Sequence, residues 1–334
     1  MSSAFSASAL VLLLQQPTGE PLCAGRIDGT IVPTEFVGAR VFARWRVNGD
    51  GDLRLYTDTG GGLLSLFPDV IQRLHLSVDT TRWMRGTTEI KRMMARVPRT
   101  RLDSQFPSLP DSDSGSFGLL VEQNPVPDEE PGHAWDGRLG TQWFADRVWA
   151  IDYPRRRLTF NGAAPTGPTS AECWVALGFR VDSTGHRVNS FPRITVRIDG
   201  DSVDLLLDTG ATTQLTSAAH AQIEPDEPIH RAASFIAASR FQRWHMRHPD
   251  WPIAVAAEED THFDMIRVPT IQVGSATIGP VWFTQRPDAN FRDFMSQYMD
   301  KPVEGALGGS AWRYATLILD YPRSRAAVVL PPSR

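Results

Sequence analysis

The sequence predicts a mainly β chain built from two homologous, β-barrel-like lobes related by a pseudo-twofold axis, and three observations carry that prediction. The triplet Asp-Thr-Gly occurs twice, at residues 58 to 60 and 208 to 210. Each triplet is followed, in the same order, by Leu-Gly and then by Asp-Tyr-Pro-Arg. The residues leading into each triplet alternate between apolar and polar with the period of a strand. Leu139-Gly140 matches Leu307-Gly308, and Asp152 to Arg155 matches Asp320 to Arg323, both at an offset of 168. The triplets are offset by 150, so the second copy carries 18 more residues between its triplet and its Leu-Gly.

A chain of 334 residues has room for two domains, each able to bury its own core. The repeat divides it into an N-terminal segment (1–25), a first lobe (26–160), a linker (161–170) and a second lobe (171–334). The linker is assigned from the Pro/Gly/Ser/Thr composition of "NGAAPTGPTS". Within the first lobe, "RVFARWRVNGDGDLRLYTDTG" reads as a hairpin turning at Asn48-Gly49 and ending at Asp58. Within the second, "RITVRIDGDSVDLLLDTG" turns at Asp199-Gly200 and delivers Asp208. A short helix is predicted after each triplet, in "LSLFPDVIQRLHL" and "TQLTSAAHAQI". The closing strands of each copy break at Tyr-Pro, where proline forces a turn or an edge.

Two segments belong to the second copy alone. Residues 233 to 253 read as a helical or flap-like element with Phe241, Trp244 and Trp251 packing over the lobe, and residues 286 to 302 read as a further helix. His245, His248, Asp250 and His262 form no matched ligand set, so neither a metal nor any other cofactor is expected.

Charge argues against nucleic acid as a partner: 34 basic against 38 acidic side chains give a formal net charge of -4. The run Arg155 to Arg157 is read as a solvated strand end. No stretch approaches the roughly 20 apolar residues of a membrane-spanning helix. Cys23 and Cys173 each lie 35 residues before their triplet's aspartate. That match admits two readings, neighbours across the pseudo-twofold axis or two unrelated buried thiols.

An aspartate at a strand end is ordinarily a turn residue. Duplication alters this, because equivalent residues close to a twofold axis meet each other. Asp58 and Asp208 would then face one another, and two carboxyls in contact share a proton and titrate as a pair. One member takes a proton from water while the other hydrogen-bonds a carbonyl, which suits hydrolysis of an unactivated amide. Gly60 and Gly210 allow tight turns whose N-H groups bond the carboxylates, and Thr59 and Thr209 can hold the two turns in register.

Two such triplets, each followed by an apolar residue and glycine, resemble the retropepsin-like and pepsin-like aspartic proteases, and the "LG...DYP" ending looks most like single-chain bacterial retropepsin-like proteins. The resemblance spans roughly residues 26 to 330. It implies the bilobal acid-protease fold and a catalytic dyad of Asp58 and Asp208, supported by Thr59, Gly60, Thr209 and Gly210. It also implies a psi-shaped loop beneath each active-site turn, completed by Leu139-Gly140 and Leu307-Gly308. The expected partner is a protein or peptide substrate, and the expected state is a monomer that forms its own pseudo-dimer. This sequence departs from the family pattern at Thr57, where an apolar residue is usual, and at Gly61-Gly62, where Ala or Ser is usual. No tyrosine lies between Leu76 and Leu102, where Trp83 is the only aromatic residue.

Function is therefore expected to be aspartic endopeptidase activity. The alternatives are a catalytically silent binding module on the same scaffold and a processing protease with one protein target. For location, "AFSASALVLLL" (4–14) has the character of a signal-peptide core, yet no Lys or Arg precedes Arg26. Export, as in a periplasmic protein, is set against a buried first strand.

Overall fold

The computed structural model describes residues 23, 25–26, 28–47, 51–85, 88–98, 105–109, 118–122, 134–161, 167–168 and 170–331. The chain is mainly β, and the helices among the described residues are short. Asn48-Gly49, most of the 1–25 segment and most of the expected linker lie outside the described residues, as does the side chain of Trp83.

The hairpins that end in the triplets form as their alternation requires. Strand Arg40–Arg46 pairs antiparallel with Asp52–Thr57. Strand Arg193–Ile198 pairs with Asp201–Asp208 around the Asp199-Gly200 turn, where both residues adopt positive φ. Val196, Ile198, Val203, Leu205 and Leu207 fill the core from this second hairpin. The short helices after the triplets are Pro68–Arg73 and Ser217–Gln222, the latter capped by the Thr216 side chain accepting from the Ala219 N-H.

In each copy a second strand enters parallel beside the one that carries the triplet. Gly137–Leu139 runs parallel to Leu55 through Thr57, and Ala306 through Gly308 runs parallel to Leu206 through Asp208. These are the two Leu-Gly sites, brought under the triplets by long crossovers. The Asp58 amide donates to the Leu139 carbonyl at 2.9 Å, so the loop closes directly on the aspartate's own backbone.

The Asp-Tyr-Pro-Arg repeat is a turn built twice. Asp152 accepts from the Arg155 amide at 3.0 Å, and Asp320 accepts from the Arg323 amide at 3.1 Å. Tyr153 and Tyr321 are buried beside them, and Arg156 and Ser324 both take φ 51°. The basic run is a solvated strand end as expected, with Arg155 and Arg156 exposed and Arg157 partly so. Arg155 and Arg157 pair with buried Asp152, and the Arg156 guanidinium donates to the Phe36 carbonyl.

The strands preceding these turns join the two halves. Val148–Asp152 pairs antiparallel with Thr316–Asp320 in a register centred on Ala150 opposite Ile318, two residues equivalent in the repeat. All residues of both strands are buried. A second tie is covalent: Cys23 and Cys173 form a disulfide, deciding between the two readings of the cysteines.

The insertion of the second copy is helix Ala238–Arg247, with Phe241 and Trp244 buried and Trp251 packed against the same core. His248, which follows the helix, is engaged in packing. His248 Nε2 lies 2.7 Å from Asp199, and the ring stacks on Trp251 at 4.3 Å. The segment read as a helix over 286–302 is a π-helical turn, Asn290–Phe294, followed by a 3-10 turn, Met295–Tyr298. In the first lobe a long hairpin, Val78–Arg85 with Thr88–Ala95, forms the edge of an eight-stranded sheet.

Candidate active site

The structure brings the two triplets together at the junction of the halves. Each turn begins alike: the Gly60 amide donates to Asp58 Oδ1 at 2.9 Å, and the Gly210 amide donates to Asp208 Oδ1 at 3.0 Å. Both glycines are there for close approach. A methyl on Gly60 would lie 2.1 Å from the Asp208 carboxyl carbon, and one on Gly210 would lie 2.1 Å from that of Asp58. Each turn therefore presses its backbone against the opposite aspartate.

The threonines lock this arrangement from beneath. Thr59 Oγ1 donates to the Leu207 carbonyl at 2.8 Å and accepts from the Thr209 amide at 2.9 Å. In return, Thr209 Oγ1 accepts from the Thr59 amide at 3.2 Å. Thr59 and Thr209 are almost wholly buried. Leu139 and Leu307 are buried below the turns, where their strands fix the height of each triplet. Gly140 and Gly308 leave no room for a side chain, since a methyl on Gly308 would meet the Ala233 carbonyl. The hydroxyl of Thr57, the residue before Asp58, is satisfied by donation to the Val41 carbonyl at 2.9 Å.

The two carboxyl groups thus face each other across the junction, each set against the glycine of the opposite turn. Burial, then the charge of Asp58, then the hydrogen bond with it hold the Asp208 carboxyl well above the ordinary carboxylate range. The Gly210 amide and Arg138 oppose that shift without reversing it. Tyr56, whose hydroxyl donates to the Thr209 carbonyl at 3.4 Å, is pushed well above the usual phenol range by burial and by Asp58.

Sequence reasoning missed Arg138. Its Nε lies 3.6 Å from Asp58 Oδ2, on the strand that carries Leu139. The sequence did hold a signal, because the equivalent residue in the second copy is Ala306. A second missed neighbour is Phe191, whose ring tip would lie 3.4 Å from a methyl on Gly62.

Among the described residues no cluster of three or more histidine, cysteine or acidic side chains is arranged to hold a metal ion. No helix among them is long and apolar enough to cross a membrane. No protein-family model matches the chain, and no curated protein sequence is detectably similar to it. Among solved structures the chain is similar to an aspartic proteinase from Irpex lacteus, at 11% sequence identity and a TM-score of 0.48, with 91% of this chain and 98% of that chain covered.

Proposed function

We propose that the protein is an aspartic-type endopeptidase in which Asp58 and Asp208 activate water against a peptide bond. The observation that carries this reading is the facing of two carboxyl groups, Asp58 buried and Asp208 partly so, each held by the glycine amide of its own turn and pressed against the glycine of the other, with Asp208 biased toward its protonated form. Such a pair has one proton to give and one site to accept one.

The chemistry balances within the pair. The ionised carboxylate takes a proton from water as the oxygen attacks the carbonyl carbon, while the protonated carboxyl donates to the carbonyl oxygen. The resulting gem-diol collapses when the first aspartate passes its proton to the departing nitrogen. The second aspartate then recovers a proton from the diol. No cofactor is required, and both aspartates end as they began. Thr59, Gly60, Thr209 and Gly210 serve by fixing the spacing, since small displacements between reacting groups are costly.

The disulfide extends the reading to location. Bonded cysteines persist in oxidising compartments, which favours an exported protein over a cytoplasmic one.

The test is cleavage of a diverse peptide library between about pH 3 and 7, with activity falling at both ends because only the singly ionised pair works. Asp58→Asn and Asp208→Asn should each reduce kcat/KM by at least about 10³-fold. Undiminished cleavage by either variant would remove the dyad mechanism. A folded wild type that cuts nothing would favour the binding-module reading instead.

A further inference from the structure

The repeat makes each lobe a control for the other, and two of the differences between them lie against the Asp58 carboxyl. The residue after Asp-Thr-Gly is Gly61 in the first copy and Ala211 in the second, and the residue before Leu-Gly is Arg138 in the first and Ala306 in the second. These differences touch. A methyl on Gly61 would lie 2.2 Å from Asp58 Oδ2 and 3.2 Å from Arg138 Cδ. The missing side chain at 61 thus makes room for the Asp58 carboxyl and for the stem of an arginine that the second copy lacks.

Arg138 is three-quarters buried, with Nε 3.6 Å from Asp58 Oδ2. That nitrogen is buried and makes no hydrogen bond, so its contact with Asp58 is one of charge. We propose that Arg138 fixes the division of labour in the pair, holding Asp58 as the anionic member that accepts the proton of water and leaving Asp208 as the proton donor. This deepens the endopeptidase reading and rests on it for the catalytic roles, though not for the order in which the carboxyls ionise. A symmetric pair would distribute its proton evenly. One guanidinium on one side breaks that equality.

The other groups facing the pair do not supply this bias. Tyr56, from the strand that carries Asp58, stays neutral because burial raises its phenol. Tyr153 and Tyr321, from the two repeated turns, are neutral for the same reason. Arg187 acts on the Tyr321 phenol. Arg40 acts on the Tyr56 phenol, and its guanidinium hydrogen-bonds the His230 ring at 3.2 Å. Arg138 is also felt at Asp208, where it opposes the upward push from burial and from Asp58.

The experiment follows the side-chain carboxyl carbons of Asp58 and Asp208 by NMR against pH, in the wild type, Arg138→Met and Arg138→Lys. The two aspartate-to-asparagine variants assign the signals. In the wild type, the Asp58 carbon should carry the first ionisation step of the pair and the Asp208 carbon the second. In Arg138→Met the first step should rise by about 1 pH unit and spread over both carbons, while Arg138→Lys keeps the wild-type order. The acid limb of kcat/KM should move with it, a loss of about tenfold at a pH on that limb. The proposal is overturned if the Asp208 carbon carries the first wild-type step, or if Arg138→Met leaves that step in place. Should Arg138→Met fail to fold, the wild-type order decides alone. If the wild type cleaves no peptide, the catalytic reading fails while the carbon titration still judges Arg138.

Discussion

Thr59 and Thr209 hold each other's backbone, and they do so unequally. Thr59 Oγ1 satisfies both the Leu207 carbonyl and the Thr209 amide, whereas Thr209 Oγ1 satisfies the Thr59 amide through a longer bond. A buried group left without its partner costs about 1–3 kcal/mol. Thr59→Val should therefore destabilise the fold by about 2–4 kcal/mol and Thr209→Val by about 1–2 kcal/mol, read by urea unfolding. The double variant should cost less than the sum, because each change removes part of the same network.

The raised Asp208 carboxyl sets a pH dependence of stability. Between its unfolded pKa near 3.8 and its higher folded value, the folded chain holds a proton that the unfolded chain has released. This group's contribution to stability thus declines as pH rises through that window. Asp208→Asn, which cannot ionise, should flatten the decline and make the protein more stable than wild type at neutral pH. Thermal melts at about pH 4 and pH 7 would show the two curves diverging toward neutrality. Parallel curves would mean that the carboxyl carries no such cost.

Gly61 is constrained by contact rather than by φ. A methyl there would lie within 2.2 Å of Asp58 Oδ2, which must give way together with the Arg138 stem. Gly61→Ala should lower kcat/KM by about 10-fold to 10²-fold through displacement of Asp58. Gly62→Ala, whose methyl would sit 3.4 Å from the Phe191 ring, should change it by less. Kinetics on one good peptide, with circular dichroism to confirm folding, separates the two.

The disulfide closes a loop of 150 residues and ties the segment just before the first copy to the start of the second. Reduction, or Cys23→Ser with Cys173→Ser, should lower stability by about 2–4 kcal/mol. Cleavage activity of the folded fraction should persist, because neither cysteine reaches the aspartates. Denaturant midpoints with and without reductant give the difference directly.

Much of this architecture was legible because duplication writes the same instruction twice. Asp152 and Asp320 cap equivalent turns, and Asp199-Gly200 reverses a hairpin whose alternation already assigned an inward face. The meeting of Asp58 with Asp208 followed from symmetry alone. What escaped was whatever the copies do not share. Arg138 sat within a matched Leu-Gly site, and its importance depends on where its stem turns, which a spacing does not encode. The cysteine positions matched equally well whether bonded or free, since only three-dimensional distance separates those states. The 290–298 segment has helical composition, yet it winds as a π turn and then a 3-10 turn.

The register of Val148–Asp152 against Thr316–Asp320 has a consequence for what the chain would be if it were cut. Either half alone would present a bare, apolar strand edge whose natural complement is a near copy of itself, and such edges recruit other chains. Two first halves joined that way would carry two copies of Arg138 into the same site, and two second halves would carry none. Fusion in one polypeptide settles partner choice before any encounter occurs. It makes each strand meet its cousin instead of its twin, so the site receives a single arginine.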